Sequence, residues 1–464
     1  MRKISSLFAG AAALFLSTPV LADNHDPMAL QAKGLEDTVA YAITEGLTTE
    51  IGPRQAGTEA EARARDWSVK KLKALGFQNV RNEPFMMTTW VRGAETAEIL
   101  SPYPQKMHIT ALGNSASTGD GGIEAEVAYF DSLAAMRAAP DGSLSGKIAF
   151  VTHDMHRTQD GSSYGTYGPA RFIGPNLASQ KGAAAYVIKS IGTDYHRNPH
   201  TGNTNFREGV TPIPAGALSL PDADNLERMI KLAAKTGTPV RMKVMMTPQN
   251  IGQQESGNVI AEVTGTDPSK GMILIACHLD SWDLATGAFD DAAGCGIITA
   301  AAKNVMDHGQ PLRTIRILWA GAEEVGLWGG KAYAEKNKNQ NQNHAIAMES
   351  DFGADKVWRV EYKFPEAAKD VRTEISQALS PLGISISGPP ASGGADIRDI
   401  IASNNLAIID LQQDGTRYFD LHHTPDDTLD KIDPAQLRQN VAAWSTVLSI
   451  ISNSDADFTM PPKE

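Results

Sequence analysis

The chain has 464 residues, 42% hydrophobic and 21% charged, with a formal net charge of −12 and two cysteines. That length exceeds what one hydrophobic core supports, since cores stop growing near ~250–300 residues, so two or three domains are expected. An acidic balance without a cluster of Lys and Arg argues against a nucleic-acid partner, because phosphate contacts need such clusters.

At the N-terminus, Arg2 and Lys3 precede an apolar run over residues 7–16, and Val20, Leu21 and Ala22 follow. This pattern predicts a signal peptide over 1–22, cleaved after Ala22, and a secreted or periplasmic protein. The alternative is an uncleaved anchor, but the run is shorter than the ~20 residues a membrane helix needs. No cysteine lies near the cleavage point to carry a lipid. No later segment reads as a membrane span.

Residues 28–47 carry apolar side chains at helical spacing, as do 60–75, with Gly76 as a stop signal. A short strand follows around Val80 and Phe85. Between 95 and 250 the character changes to short β-type runs (123–129, 147–151, 184–191) separated by Gly-, Ser- and Pro-rich turns. One helical pattern, 222–234, lies near the end of that stretch, which reads as a mostly β module inserted into the chain.

From about 257 strands and helices alternate. Strands are expected over 258–264, 272–277, 314–319, 344–348 and 406–411, and helices over 292–306, 331–336, 367–379 and 434–451. Such alternation predicts an α/β fold, a mostly parallel (mixed) sheet with helices on both faces. Ligands bind such sheets at the carboxyl ends of the strands. The expected organisation is a signal peptide (1–22), a first part of the main domain (23–94), the insert (95–250) and the rest of the main domain (251–464).

The acidic and imidazole residues of the C-terminal half fall at those strand ends. His278 and Asp280 follow 272–277, and Asp290 and Asp291 lead into the next helix. Glu323 and Glu324 follow 314–319, Asp351 follows 344–348, and His422 and His423 come after 406–411. Singly, each has a bland explanation: an Asp pair before a helix is usually a cap, and a Glu pair a solvated surface. Together, five sites at the strand ends of one sheet suggest a metal centre. Imidazole and carboxylate donors without thiolates suit zinc. Two His and three carboxylates suffice for two metals sharing one bridging carboxylate, with a further glutamate left to move protons. A pair of metals lowers the pKa of a water between them and polarises a carbonyl. The histidines at 25, 108, 153, 156, 196, 200, 308 and 344 lack this setting, although His153 and His156 form an H-x-x-H able to bind metal weakly. Cys277 and Cys295 are expected to be buried free thiols.

The runs His278-Leu279-Asp280-Ser281, Asp290-Asp291-Ala292-Ala293-Gly294, Ala322-Glu323-Glu324-Val325-Gly326-Leu327, Glu349-Ser350-Asp351 and His423-Thr424-Pro425-Asp426-Asp427-Thr428 resemble the M28 family of zinc peptidases in order and spacing. The middle module resembles a protease-associated domain through Gly146-Lys147-Ile148-Ala149-Phe150-Val151, Gly182-Ala183-Ala184-Ala185 and Pro212-Ile213-Pro214-Ala215. With Pro199-His200-Thr201-Gly202 and Ser281-Trp282-Asp283, the chain looks most like the carboxypeptidase Q branch.

The resemblance implies a zinc-exopeptidase fold with an inserted, mainly β protease-associated domain and two Zn2+ per chain. Asp290 would bridge the metals, with His278 and Asp351 on one and Glu324 and His423 on the other. Glu323 would be the general base towards a metal-bridging hydroxide. Asp280 would orient His278 through its second ring nitrogen, and Asp427 would do the same for His423. His423 is preferred to His422 because the family pattern places Thr after the ligand. Some members carry a Tyr just before that ligand, where it can help stabilise the oxyanion. Here His422 stands there, Tyr418 lies upstream, and the oxyanion partner stays open. The loop Ser392-Gly393-Gly394-Ala395-Asp396 takes the place of a substrate-facing family loop.

The implied substrate is a peptide or dipeptide cut near a chain end by an aminopeptidase or dipeptidase, with a carboxypeptidase as rival. Two further alternatives are a non-catalytic receptor-like protein and an amidase or glutaminyl cyclase-like enzyme. By family analogy the module covers the site and can contact the second subunit of a homodimer.

Overall fold

The computed structural model describes residues 26–338 and 344–462. The signal-peptide reading over 1–22, and His25, lie outside the described residues.

Apolar, β-branched runs form the centre of a seven-stranded mixed sheet. In spatial order its strands are Gln78–Val91, Gln249–Val263, Ile315–Ala320, Met272–His278, His344–Glu349, Ala407–Gln413 and Val357–Lys363. The four strands beginning at Ile315, Met272, His344 and Ala407 run parallel, and the outer pairings are antiparallel. Alternate side chains along a strand leave opposite faces. Thus Ile273, Ile275 and Cys277 join one core, while Leu274 and Ala276 join another. The first core packs beneath the helices Val39–Gly46, Ala293–His308 and Pro434–Asn453. The second lies beneath Trp328–Asn337 and Arg398–Asn404. With both faces covered, the central strands need no polar side, which is why they read as continuous apolar runs.

Residues 95–246 build a second, eight-stranded sheet. Its strands Ile123–Phe130, Ile148–Val151, Ala185–Lys189 and Ala215–Leu218 run parallel. Besides the expected helix, found at Leu220–Ala234, this stretch contains short helices at Leu133–Ala138, Ser162–Tyr167, Pro169–Phe172 and Gly174–Gln180. Gly168-Pro169 and Gly174-Pro175 punctuate them, and each helix is too short to show a period in the sequence.

Three expectations change. The helix expected over 28–47 is two, Pro27–Leu35 and Val39–Gly46, and the Asp37 side chain caps the second by accepting from the Ala40 N–H at 2.8 Å. Gly34 lets the first lie against the C-terminal helix: a Cβ there would sit 2.5 Å from the Ala442 Cα. Edge strand Val357–Lys363 alternates polar and apolar residues and was not expected. Cys277 and Cys295 are not free thiols but form a disulfide. The end of one strand and the start of the next helix bring their Cα atoms to 5.2 Å, inside the range a bridge can span. Among the described residues no helix is long and apolar enough to cross a membrane.

Candidate metal centre

The strand ends converge on one crevice. His278 is the last residue of Met272–His278, and Asp290 and Asp291 sit in the turn before Ala293–His308. Glu323 and Glu324 follow Ile315–Ala320, and Asp351 follows His344–Glu349. His423 comes just after the short helix Tyr418–Leu421.

His278 Nε2 lies 3.1 Å from Asp290 Oδ1 and 3.4 Å from Asp351 Oδ1. His423 Nε2 lies 2.9 Å from Glu324 Oε2 and 3.4 Å from Asp290 Oδ2. The two oxygens of Asp290 therefore face two separate histidine–carboxylate pairs. Asp290 Oδ2 is buried without a hydrogen-bond partner. His422 stacks on His423 with ring centroids 3.4 Å apart, and its Nε2 is farther from Asp290 Oδ2, at 3.8 Å.

Two supporting contacts differ from expectation. His278 Nδ1 meets the main-chain carbonyl of Asp280 at 3.0 Å, while the nearest Asp280 carboxylate oxygen is 3.8 Å away. That carboxylate instead accepts from the Glu323 N–H at 3.0 Å and so fixes the backbone that presents Glu323. Asp427 does not reach His423. Its oxygens accept from the Phe289 and Asp290 N–H groups at 2.6 and 3.1 Å, holding the turn that presents Asp290. At His278 a tight turn puts the Asp280 carbonyl closer than its carboxylate, while at His423 the Thr201 carbonyl, from a distant segment, lies 3.2 Å from Nδ1.

Electrostatics follow from crowding. Burial, with neighbouring carboxylates adding to it, holds Glu323, Glu324 and Asp291 well above the usual carboxylate range. Asp351 is also raised, chiefly by burial. Burial opposes protonation of His278, but Asp351 and Asp290 outweigh it and raise this imidazole well above its ordinary value. Burial, and then the Arg171 guanidinium, push His423 well below its ordinary value. So many carboxylates cannot all ionise out of water unless a cation joins them.

Of the residues around the crevice, Arg54 and Arg171 carried no sequence signal. Arg54 is fully buried and donates to the Leu279, Thr286 and Gly287 carbonyls at 2.6, 2.5 and 2.9 Å, pinning the loop after His278. Arg171, from the second sheet's region, puts NH1 3.3 Å from His423 Nδ1 and donates to the Thr201 carbonyl at 3.3 Å. Tyr418, four residues before His422, joins Tyr164, Phe172, Phe352 and Phe419 in an aromatic wall. Burial, and then the Asp290 charge, hold its hydroxyl protonated far above neutral pH. A cavity of about 560 Å3 opens here, lined also by Glu323, Asp351, Arg171, Asn203, Lys331 and Arg398.

His153 and His156 do not form a metal site. His153 Nε2 lies 3.0 Å from the carbonyls of both Lys189 and Ser190, and Nδ1 accepts from the Met155 N–H at 3.1 Å. Burial pushes its pKa down to about 4. Of the Ser392–Asp396 loop, Ala395 lines the cavity, while Asp396 is buried behind it.

Residues 258–448 match the family model described as Peptidase family M28. Carboxypeptidase Q of Bos taurus is 31% identical over 428 residues, covering 91% of this chain and 87% of that protein. A crystal structure of a peptidase M28 precursor from Shewanella amazonensis SB2B superposes with a TM-score of 0.90 at 42% identity, covering 94% of this chain and 98% of the other. A zinc aminopeptidase from Bacillus subtilis has the same fold, with a TM-score of 0.63 at 18% identity over 91% of this chain and 96% of the other. Two faces of one carboxylate meeting two histidine–carboxylate pairs, on a fold matched along nearly the whole chain, lead to one assignment: the protein belongs to peptidase family M28.

Proposed function

We propose that the protein is a two-zinc exopeptidase that hydrolyses a peptide bond next to a chain end, as an aminopeptidase or dipeptidase. One observation carries the reading: Asp290 turns one oxygen towards His278 and Asp351, and the other towards His423 and Glu324. The donor set fits zinc, being imidazole and carboxylate only, with the orphaned Asp290 Oδ2 in place to be a ligand. His278, Asp351 and Asp290 would hold one ion, and Glu324, His423 and Asp290 the other. Bound zinc would supply Lewis acidity, acidifying a water and polarising the scissile carbonyl.

The protein's own groups account for the rest. Glu323 lines the cavity outside both ligand pairs, and Asp280 fixes its backbone. It takes the proton of the attacking water and passes it to the leaving amine. The aromatic wall excludes water and packs against the substrate side chain. The Tyr418 hydroxyl, protonated at working pH, is the available donor towards the carbonyl oxygen.

Cavity chemistry favours a short substrate. Lys331 and Arg398, which line the cavity and belong to neither ligand pair, suit a free carboxylate. A dipeptide brings such a carboxylate within one residue of the bond that is cut. Those cations also support the second reading, a carboxypeptidase that needs only the free C-terminus. Residues 95–250 would be a protease-associated module roofing the site, and the active unit a homodimer. The signal peptide would deliver the protein outside the cytoplasm, where the Cys277–Cys295 disulfide persists.

The test measures zinc per chain and compares Leu-p-nitroanilide, an amine-blocked peptide and a free dipeptide. Two zinc ions and preference for the dipeptide support the proposal. Cleavage of the blocked peptide alone refutes the lead and leaves the carboxypeptidase. A protein without zinc or activity points to a receptor-like role.

A further inference from the structure

His423 has φ of +62°, a left-handed conformation that a side-chain-bearing residue seldom adopts and that its surroundings must impose. The surroundings here come from residues 193–201, far away in sequence. The Thr193 N–H donates to the Phe419 carbonyl and the Thr201 N–H to the His423 carbonyl, both at 3.0 Å. His200 Nδ1 meets the intervening His422 carbonyl at 2.8 Å, and its Nε2 meets Asp194 Oδ1 at 2.5 Å. His423 Nδ1 returns the contact to the Thr201 carbonyl at 3.2 Å, closing a reciprocal pair. Arg171 donates to that same carbonyl.

These partners are built in. His200 and Thr201 are 0% exposed, Asp194 1% and Arg171 2%. Two glycines make room for them: a Cβ on Gly192 would lie 2.2 Å from His200 Nε2, and one on Gly202 would lie 2.4 Å from the Arg171 guanidinium. No comparable clamp from this region reaches His278, whose Nδ1 meets the Asp280 carbonyl of its own loop.

We propose that residues 193–201, together with Arg171, are the positioning element for His423, so that the inserted region completes one of the two metal-binding halves and leaves the other alone. This rests on the reading of His423 as a metal ligand. A metal-bound imidazole needs its second nitrogen fixed by an acceptor, and here the Thr201 carbonyl is that acceptor, itself located by His200, Asp194 and Arg171. Partners of this kind set metal affinity about 10–100-fold.

The experiment titrates zinc into metal-free protein against a competing chelator, for wild type, His200→Ala, His200→Asn, Arg171→Met and His423→Ala. An Asn amide can place an N–H where His200 Nδ1 stands. His200→Ala and Arg171→Met should each weaken one zinc about tenfold or more and leave the other at wild-type affinity, and His200→Asn should restore much of the loss. Hydrogen exchange adds a readout independent of activity: zinc should slow exchange at the Thr193 and Thr201 amides. Wild-type affinities for both ions in His200→Ala and Arg171→Met overturn the proposal. So does equal weakening of both ions with a matching fall in melting temperature, which is a general structural role. If His423→Ala keeps two ions at wild-type affinity, the ligand assignment itself fails, separately from the positioning claim.

Discussion

Replacing Glu323 by Gln removes a proton carrier and almost nothing else. The amide has the same shape, and the contact that presents this residue is to its main-chain N–H, which the change leaves in place. Glu323 stands outside both histidine–carboxylate pairs, so zinc content should be unchanged. Burial, and then Asp351, Asp280 and Asp290, raise its carboxyl well above the usual range. A neutral amide carries no such penalty, so the metal-free variant should melt no lower than wild type. General acid–base catalysis contributes ~10^2–10^4-fold. At about 1.4 kcal/mol per tenfold, the transition state should lose about 3–6 kcal/mol. The assay is kcat on a dipeptide, beside zinc per chain and a melting curve. Near-normal kcat with full zinc would remove Glu323 from the mechanism, and loss of zinc would mean that it is a ligand.

Asp427 predicts a pH effect in the metal-free protein. Burial, and then the Asp290 charge, push it up to about 7, against about 4 for an unfolded Asp. The folded state therefore keeps a proton that the unfolded chain has released. Its stabilising contribution is full below about pH 4 and is lost as pH rises to about 7, by at most about 1.4 kcal/mol per pH unit. Denaturant melts across this window should show a shallower slope for Asp427→Asn, and an unchanged slope would refute the assignment. The disulfide closes a segment carrying His278, Asp280, Asp290 and Asp291, with a sequence separation of 18. Changing both cysteines to serine should cost about 3 kcal/mol in urea unfolding, and no loss would mean that the bridge stabilises nothing. Arg54→Met removes three hydrogen bonds to main-chain carbonyls and leaves the buried Leu279 carbonyl without its donor, worth about 1–3 kcal/mol when unsatisfied. It should therefore lower the melting temperature sharply and weaken zinc retention, and a wild-type melt with normal zinc would show that the loop holds without it.

Parts of this design are visible along the chain because they are local. The alternation of apolar strands and helices after residue 257 announces a sheet covered on both faces. His278, Glu324 and Asp351 stand within a few residues of strand ends and Asp290 just before the next helix, so their convergence follows from the strand–helix order. The Val357–Lys363 strand was hidden because Arg359, Glu361 and Lys363 interrupt its apolar residues and leave no continuous apolar run. The break at 36–38 was hidden because apolar spacing continues through it, whereas the Asp37 cap and the packing of Gly34 on Ala442 set the new direction.

The fold class, the family resemblance and the nomination of the crevice can be read along the chain, because strand period, helix period and ligand spacing are short-range properties. Which group orients which emerges from packing between distant segments. Asp280 serves Glu323 rather than reaching His278 with its carboxylate, and Asp427 serves Asp290 rather than His423. Tertiary packing also joined the two cysteines and brought Arg171 and Thr201 to His423. Those contacts cross as many as 252 positions in the chain. At His278 the choice turns on less than 1 Å between a main-chain carbonyl and a carboxylate, which no pattern of residue types encodes.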